Sequence, residues 1–536
     1  MSYGKSFPSH LWLLGFLSLT GAVLFFAATA PWGIGTYPDS AAYIAGARNI
    51  LKGAGYVHFR DATPITHWPP LYSLSLVVLG VFGIDPLDGA RLQHTFLFGL
   101  TIFMVGIILK KLTRSTLTAF FGSWLVLTSA PMLRVYGFVC SEPLFILLTL
   151  PGLFFLSEYA RGGPKTFLFY SALLTGLGCL DRYVGVTVIA TGTLFLLLLH
   201  QKSILCRLRD AALYVLLSSL PLALWFLRNQ LLTQNMTNRV VRLHPVSSSY
   251  LFQFMDTVSG WILPEEVPSS LRYSMLFILL AGISGVAVCA VWHTVRHQSP
   301  QLMMKGPAFR FMAILALFCL CYTGFQVLHV FFIHASVEAN NRHYSPVFFA
   351  GLILILTLGH HFLQQQSRRP ALRIIALTAV VSLSLLSLSR ASQTFMSFYQ
   401  KGYASTSRKW RTSPTIAKVT TLPPDAVLYS NEHAIVYLLT QRPASRIPRK
   451  YSTRQYRDAS GAKESRQALR RMERLKSKII AKGAYVVYFT KGHNWYKFSK
   501  PELAERLSLV PLYELEDGVI YKPAPPQELK SASQTP

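Results

Sequence analysis

Charged residues are scarce in this chain of 536 residues. Asp, Glu, Lys and Arg make up 14% of it, against roughly 25% in soluble domains, and hydrophobic residues make up 51%. Runs of about 20 apolar residues, each long enough to cross about 30 Å of hydrocarbon, recur before residue 390. The composition therefore excludes an ordinary soluble protein and predicts an α-helical polytopic membrane protein.

Cysteine is also rare, and its positions limit its role. All six cysteines precede residue 390, so the segment 390–536 cannot contain a disulfide. Cys319 and Cys321 lie within an apolar run, where small buried residues are expected rather than metal ligands. The chain also has no Walker A loop, no G-x-G-x-x-G after a strand and no H-E-x-x-H motif.

Acidic residues are outnumbered by basic ones. There are 23 Asp and Glu against 52 Lys and Arg, which gives a formal net charge of +29. We expect no nucleic-acid partner, because the basic residues are split between short loops and a tail instead of lying on one soluble module. This distribution favours anionic lipid head groups and phosphates as partners.

Eleven membrane spans are predicted, and the positive-inside rule orients them. The turns rich in Lys and Arg are placed in the cytoplasm, so the first long loop, the loop 228–270 and the C-terminal segment face outward. The basic turns begin at Lys110, Arg161, Lys202, Arg296 and Arg368. The predicted spans are 11–30, 87–109, 116–133, 142–157, 166–181, 183–200, 211–227, 271–292, 310–333, 345–362 and 371–389.

Two apolar segments near the N-terminus are ambiguous. The first span ends in Ala28-Thr29-Ala30, which resembles a signal-peptide cleavage site. Its apolar region is about 20 residues long, however, which exceeds the usual 7–15 and favours a retained helix. Segment 69–84 is short, and as a full span it would place Lys110 outside, so we expect a juxtamembrane or re-entrant helix on the outer side.

The segment 390–536 has the composition of a soluble domain. Its alternating strands and helices predict a small α/β domain. It carries 26 Lys and Arg against 11 Asp and Glu, which suits recruitment of an anionic acceptor, although a solvated lid is an equal alternative. The predicted elements are strands at 426–430 and 484–489, helices at 432–441, 465–482 and 500–507, and a hairpin over 510–521 turning at Glu516-Asp517-Gly518.

The predicted domain division follows from these patterns. Residues 1–389 form a transmembrane domain, and its first outer loop, 31–86, carries the catalytic site. Residues 390–536 form an extracytoplasmic α/β domain.

Two acidic residues at outer helix ends are candidates for chemistry. Asp39 opens an amphipathic helix in the first outer loop, where a carboxylate above the bilayer can act as a general base on a lipid-borne substrate. It can also be the N-cap of a helix over 40–52. Glu142 opens the fourth span, where the helix dipole favours a negative charge in any case.

Arginines at the outer helix ends run against the inward bias of the loops. A guanidinium group binds phosphate bidentately, so four of them favour an anionic lipid site over simple snorkelling to the head groups. They are Arg134, Arg182, Arg228 and Arg342.

The chain resembles the C-type, polyprenyl-phosphate-dependent glycosyltransferases over about residues 10–390. The nearest branch is glycosyltransferase family 39, which includes protein O-mannosyltransferases and lipid A aminoarabinose transferases. The resemblance is carried by the acidic first loop, by Pro69-Pro-Leu71 and by the motifs Leu180-Asp-Arg-Tyr-Val-Gly185, Trp225-Phe-Leu-Arg-Asn229 and Arg342-His-Tyr-Ser-Pro346.

The resemblance implies roles for individual residues. Asp39 matches the catalytic acid and Glu142 the second outer acidic position, while Arg182 and Arg342 match positions near the lipid phosphate. Some members carry a basic residue directly before the double Pro, where this chain has Trp68. The remaining substrate-binding candidates are His67, one residue earlier, and Tyr344, in the last motif.

The function that the resemblance implies is inverting transfer of a sugar from a polyprenyl-phosphate donor to a glycan, lipid or protein acceptor. No cofactor is predicted, and a divalent metal is not indicated. The expected location is the cytoplasmic (inner) membrane, with the active site facing the periplasm or exterior. The alternative is a lipid-sugar transporter or flippase without transferase chemistry, which predicts inverted repeats and broken helices. A weaker alternative is a receptor-like scaffold whose outer domain binds glycans.

Overall fold

The chain forms two compact units in the computed structural model. The first unit comprises Met1–Pro31 and Thr66–Gln400, and the second comprises Trp32–Ile65 and Lys401–Pro536. The structure describes residues 9–239, 241, 243, 248–297, 307–333, 337–366, 370–450, 466–490 and 497–525.

Fifteen α-helices precede residue 402 within these described ranges. They are α1 (Ser9–Ala28), α2 (Pro38–Leu51), α3 (Leu71–Gly80), α4 (Pro86–Thr113), α5 (Thr116–Leu127), α6 (Ala130–Tyr136), α7 (Glu142–Ala160), α8 (Lys165–Asp181), α9 (Val186–Leu199), α10 (Ile204–Thr233), α11 (Ser248–Gly260), α12 (Ser269–His297), α13 (Pro307–Phe332), α14 (Asn341–Gln365) and α15 (Pro370–Lys401). A 3₁₀ turn, Tyr183–Gly185, precedes α9.

The helices confirm a multi-pass membrane protein. The eleven predicted spans fall on helices, and the span 116–133 is divided between two of them. Among the described residues, seven helices are long and apolar enough to cross a membrane, namely α1, α4, α7, α10, α13, α14 and α15. The helix α3 has ten residues and is about 15 Å long, which is too short to cross, as expected for the segment 69–84.

The predicted span 116–133 is not one straight helix. The segment forms α5 and α6, which meet at an angle of 60°. The break falls at Thr128 and Ser129, and Pro131 lies in the first turn of α6, where its missing N–H costs no helical hydrogen bond. If α5 and α6 act as one bent span, the number of candidate spans in the described chain rises to eight.

Small residues let α1 and α4 approach closely. A Cβ atom at Gly99 would lie 3.0 Å from the carbonyl oxygen of Ser18, and one at Gly106 would lie 2.6 Å from Leu14 Cδ2. Ser18 Oγ also donates a 2.7 Å hydrogen bond to the Gly99 carbonyl. Such contacts hold membrane helices together where lipid offers no hydrophobic driving force.

A buried polar network joins α3, α4 and α6. His94 Nε2 lies 2.7 Å from the Tyr72 hydroxyl, and His94 Nδ1 lies 2.8 Å from the Tyr136 carbonyl oxygen. The Tyr136 hydroxyl donates to Thr101 Oγ1 at 2.8 Å. Because these groups are buried, each needs a partner inside the protein. The network thereby fixes the start of α3, where the chain re-enters after the double proline.

The second unit contains a mixed five-stranded sheet in the order β2-β1-β3-β5-β4. Strand β1 pairs in parallel with β2 and β3, and β5 pairs antiparallel with β3 and β4. The predicted α/β domain and its terminal hairpin are confirmed, whereas β2 was not predicted. The elements are α16 (Arg408–Arg411), α17 (Pro414–Thr420), β1 (Leu428–Ser430), α18 (His433–Thr440), β2 (Ala444–Arg446), α19 (Arg466–Lys482), β3 (Tyr485–Phe489), α20 (Lys500–Leu507), β4 (Leu509–Leu515) and β5 (Gly518–Pro523).

Helices cover both faces of this sheet. On one face, α19 and α20 contribute Met472, Ile479 and Leu503 to a core with Val486 of β3. On the other face, α16 to α18 contribute apolar side chains around Phe489. Because successive residues of β3 point to opposite faces, all five of its residues are buried.

The first loop belongs to the second unit, which differs from the predicted division. Phe59 stacks on Tyr437 with ring centroids 4.2 Å apart, and Thr406 Oγ1 donates to the Ile34 carbonyl at 2.6 Å. The predicted boundary at 389 falls inside α15, which continues to Lys401. Residues 32–65 therefore pack with the C-terminal segment as one unit, a long-range pairing that local sequence patterns do not reveal.

Candidate active site

A buried carboxylate in the first unit holds two arginines. Glu142 starts α7, Arg182 follows the end of α8, and Arg342 lies in the first turn of α14. Arg182 Nη1 lies 2.5 Å from Glu142 Oε1, and Arg342 Nε donates to the same oxygen at 2.6 Å. Three of the predicted site residues thus meet at one point, where the ends of three helices converge.

The charges of this cluster do not balance. Two guanidinium groups face one carboxylate, so the three side chains carry a formal charge of +1. The Glu142 side chain is fully buried, whereas the side chains of Arg182 and Arg342 are 14% and 18% exposed. Excess positive charge in a low-dielectric setting attracts an anion more strongly than it would in water. The arrangement therefore suits a phosphate better than a cation.

Neighbouring polar groups fix the two arginines in place. Arg182 Nη1 also donates to Ser141 Oγ at 3.0 Å, next to Glu142 in the sequence. Beside Arg342, the carbonyl of His343 accepts a 2.9 Å hydrogen bond from the Tyr322 hydroxyl. The positions of both guanidinium groups are thereby set by the ends of rigid helices, which supports preorganisation of the site.

A second buried acid, Asp181, lies in the motif Leu180-Asp-Arg-Tyr-Val-Gly185 but is not among the residues predicted for the site. It ends α8 directly before Arg182 and is fully buried. Neither of its carboxylate oxygens has a hydrogen-bond partner among the described residues. A carboxylate at a helix C-terminus also faces the negative end of the helix dipole. The signal that could have found it is an acid at the end of an apolar span, next to a candidate arginine.

Tyr183 links the turn after Arg182 to the re-entry loop. Its hydroxyl donates to the carbonyl of Thr66 at 2.7 Å and accepts a 3.0 Å hydrogen bond from Trp225 Nε1. The half-buried His67 follows Thr66 and packs edge-on against Trp68, with ring centroids 4.7 Å apart. The structure thus ties the backbone beside His67 to the turn that carries Arg182.

Two further arginines surround Tyr183 and Trp225. Arg228 lies over the Trp225 ring at 4.7 Å, and Arg239 lies over the Tyr183 ring at 5.3 Å. Arg239 was not among the predicted residues, because it follows the apolar helix α10 in a polar stretch without a motif. Of the four outward arginines predicted, Arg134 lies apart from this group and pairs with the exposed Glu265 at 3.9 Å.

Tyr344 occupies a core position. Its side chain is fully buried, and its hydroxyl lies 3.0 Å from that of Tyr250. Its ring packs against Phe254 with centroids 4.9 Å apart. These contacts show that Tyr344 packs in the core of the first unit. Its role in substrate binding remains a prediction.

Asp39 lies in the second unit, in the first turn of α2. The predicted N-cap role is wrong, because Tyr37 is the N-cap and Pro38 and Asp39 are the first two helical residues. Ser40 Oγ accepts the 2.9 Å hydrogen bond from the Tyr37 N–H. Asp39 is partly exposed, whereas Ser40 to Arg48 are buried. Its carboxylate therefore sits where the helix reaches the surface of its unit, and its catalytic role remains a prediction.

Metal ligands do not cluster in the described parts of the chain. No group of three or more His, Cys, Asp or Glu side chains there could hold a metal ion. Around Glu142 the two guanidinium groups would repel a cation. The donor set of this cluster therefore does not fit a divalent metal.

The fold of this chain is similar to that of solved glycosyltransferases. ArnT from Cupriavidus metallidurans in the apo state aligns with a TM-score of 0.54 and 14% identity, over 95% of this chain and 98% of that one. The same protein bound to undecaprenyl phosphate aligns with a TM-score of 0.53 over the same shares. This chain has the C-type glycosyltransferase fold.

A second type of transferase shares the fold. The archaeal oligosaccharyltransferase AglB from Archaeoglobus fulgidus, in complex with an inhibitory peptide and a dolichol-phosphate, aligns with a TM-score of 0.53 and 11% identity. The alignment covers 91% of this chain and 70% of that one. No protein-family model and no curated protein sequence matches the chain significantly. The predicted fold is confirmed, while the low identities leave the activity to be argued from the site.

Proposed function

We propose that this chain is an inverting glycosyltransferase that moves a sugar from a polyprenyl-phosphate donor to an acceptor at the outer face of the membrane. The observation that carries the proposal is the likeness to ArnT along nearly the whole of both chains, together with the structure of ArnT bound to undecaprenyl phosphate. The glycan, lipid or protein class of the acceptor follows from the resemblance alone.

The donor phosphate binds at the Glu142 cluster in this proposal. Two guanidinium groups on one carboxylate leave one positive charge for the phosphate. Glu142 acts as a positioning residue that keeps both arginines in place while the site is empty. Because the guanidinium groups are held in advance, they stabilise the negative charge that develops on the leaving phosphate without reorganising.

Asp39 supplies the general base. It takes a proton from an acceptor hydroxyl or amine, and the acceptor heteroatom attacks the anomeric carbon of the donor sugar. The bond between that carbon and the phosphate oxygen breaks, the electron pair leaves with the polyprenyl phosphate, and the anomeric configuration inverts. A phosphate leaves as a stable anion, so neither a general acid nor a cofactor is required.

The chain lies in the cytoplasmic membrane, and its second unit is on the outer side. The odd number of spans predicted from the sequence, together with a cytoplasmic N-terminus, supports this orientation, and long domains translocate largely regardless of their charge. A reporter fused after Pro536 tests this orientation. Activity of a reporter that works only outside the cytoplasm supports it, and activity of a cytoplasm-specific reporter alone overturns it.

Proteoliposomes containing the purified chain separate transfer from transport. The donors are synthetic polyprenyl-phosphate sugars labelled in the sugar, and the acceptor is a total envelope extract. Labelled acceptor with inverted anomeric configuration supports the proposal. Movement of labelled donor between leaflets without any labelled acceptor supports the flippase alternative, for which the bent α5–α6 pair is the one structural observation in the described chain.

Matched acidic variants test the base. Asp39 and Asp88 both lie in the first turn of a helix, α2 and α4 respectively. Asp39→Asn should abolish transfer, whereas Asp88→Asn should leave it close to wild type. Equal activity of the two variants contradicts the assignment of Asp39.

A further inference from the structure

A basic pocket lies in the second unit, between the sheet edge and α19. Its volume is about 360 Å³, within the roughly 300–1,000 Å³ range of small-molecule sites. Five basic side chains line it, and the acidic side chain in its lining is Asp61. The basic residues are Arg60, Arg446, Arg471, Arg474 and Lys478.

The basic residues converge from three separate segments. Arg60 comes from the first loop, Arg446 from the edge strand β2, and the other three from α19. Arg471, Arg474 and Lys478 are spaced three and four residues apart, so they share one face of that helix. Like charges at this spacing destabilise a helix on their own. Their convergence with two arginines from other segments therefore indicates a ligand of opposite charge.

The three basic side chains from α19 are not neutralised by carboxylates of the described chain. Asp61 Oδ1 accepts hydrogen bonds from Thr63, at 2.7 Å from Oγ1 and 3.3 Å from the backbone nitrogen. In the described part of the chain, no ion pair joins a carboxylate to Arg471, Arg474 or Lys478. Five basic groups against one acid leave a formal charge of +4.

Hydroxyl donors complete the lining. Tyr429 and Ser445 line the same pocket, and burial raises the pKa of the Tyr429 phenol, which keeps its proton available for donation. Two arginines of the pocket also act on His433. Burial, together with the charges of Arg446 and Arg60, lowers the pKa of its imidazole to about 3.

We propose that this basic pocket binds a phosphomonoester, carried either by a sugar or by a lipid head group. A phosphomonoester brings about two negative charges and three acceptor oxygens, which match several guanidinium forks better than one carboxylate does. Leu475 and Pro448 in the lining leave an apolar wall beside the charges for the group that carries the phosphate. The pocket belongs to the second unit and shares no residue with the Glu142 cluster, so its occupancy does not depend on the proposed transfer reaction.

Two double variants with equal loss of charge test the proposal on the full-length chain. Arg474→Ala/Lys478→Ala removes two pocket residues from the exposed face of α19. Arg470→Ala/Lys482→Ala removes the same charge from exposed positions of that helix outside the pocket lining. Calorimetric titration with glucose 1-phosphate and, separately, with a water-soluble short-chain phosphatidic acid measures binding by the sugar-borne and lipid-borne forms.

We expect the pocket variant to bind at least one of the two probes about tenfold more weakly than wild type, a change equal to about 1.4 kcal/mol. The control variant should stay within about twofold, because screened surface charges contribute little. Preference for one probe identifies the source of the phosphate. Equal weakening by both double variants, or no binding of either probe by wild type, overturns the proposal. An Arg342→Ala variant that keeps wild-type binding of both probes shows that the signal does not come from the Glu142 cluster.

Discussion

Glu142→Gln removes the charge that the two buried arginines share. Breaking a buried ion pair by removing one partner typically costs about 3–5 kcal/mol, because the remaining charge stays desolvated. Here two guanidinium groups would lose the carboxylate that lies between them, which argues for a large effect. Their side chains are 14% and 18% exposed, however, so water can solvate part of each charge. We therefore expect a loss of about 3 kcal/mol in the free energy of unfolding.

A triple variant separates charge from packing. Glu142→Met/Arg182→Met/Arg342→Met removes all three charges and replaces them with apolar side chains of similar length. Replacing a whole buried ionic cluster by apolar residues is often neutral or stabilising. The triple variant should therefore unfold within about 1 kcal/mol of wild type, or above it, although it cannot bind a donor phosphate.

Equilibrium unfolding in mixed detergent micelles, followed by tryptophan fluorescence, measures these differences. Donor binding is titrated separately, so that stability and function are not confused. If Glu142→Gln unfolds at the wild-type midpoint, the carboxylate does not hold the arginines as described. If the triple variant is as unstable as Glu142→Gln, the loss comes from packing, and the electrostatic reasoning fails.

Three further predictions concern the base, the arginines and the sheet domain. Asp39→Asn should lower the rate of sugar transfer at least about 100-fold, whereas Asp88→Asn should not. Single-turnover transfer assays measure both rates, and similar rates in the two variants would contradict a general base at position 39. Arg342→Ala should weaken donor binding by about tenfold, and Arg342→Lys by less, because Lys meets phosphate only as a point charge. Arg134→Ala is the control. If it weakens donor binding as much as Arg342→Ala does, Arg342 acts only as a general surface charge. Burial of Asp517 raises its pKa, but hydrogen bonds from Ser413 and Thr415 outweigh it and hold the pKa of that carboxyl below its usual value. The ionised Asp517 therefore stabilises the fold above about pH 4, and this stabilisation is lost as the pH falls further. Below that pH, the protection of the β4–β5 hairpin against hydrogen exchange should decrease in wild type and change less in Asp517→Asn.

Apolar runs were enough to predict where the helices before residue 390 lie. The predicted spans fall on helices, because a run of about 20 apolar residues has few alternatives in a bilayer. Hydropathy does not determine the direction of a helix axis. The 60° bend between α5 and α6 was therefore not predicted. The three-residue strand β2 is also too short to give an alternating pattern, and its burial depends on pairing with β1.

The sequence predicted which residues belong to the candidate site, but not how they contact one another. Motifs singled out Glu142, Arg182 and Arg342, yet the sharing of one carboxylate oxygen by two arginines depends on how α7, α8 and α14 end. Asp181 was not predicted, because its burial is not evident from its sequence neighbours. The structure leaves both of its carboxylate oxygens without a hydrogen bond in the described chain. The cap of α2 was misplaced because Pro38 starts the helix one residue before Asp39.

The central claim is that this chain transfers sugar from a polyprenyl phosphate. The most direct measurement follows one donor, labelled in the sugar and in the lipid, with purified wild-type chain in lipid nanodiscs and an envelope extract as acceptor. The account predicts that free polyprenyl phosphate and labelled acceptor appear in equal amounts, that neither forms without acceptor, and that Asp39→Asn produces neither. Intact donor after prolonged incubation with wild type, under conditions where donor binding is saturated, would contradict it.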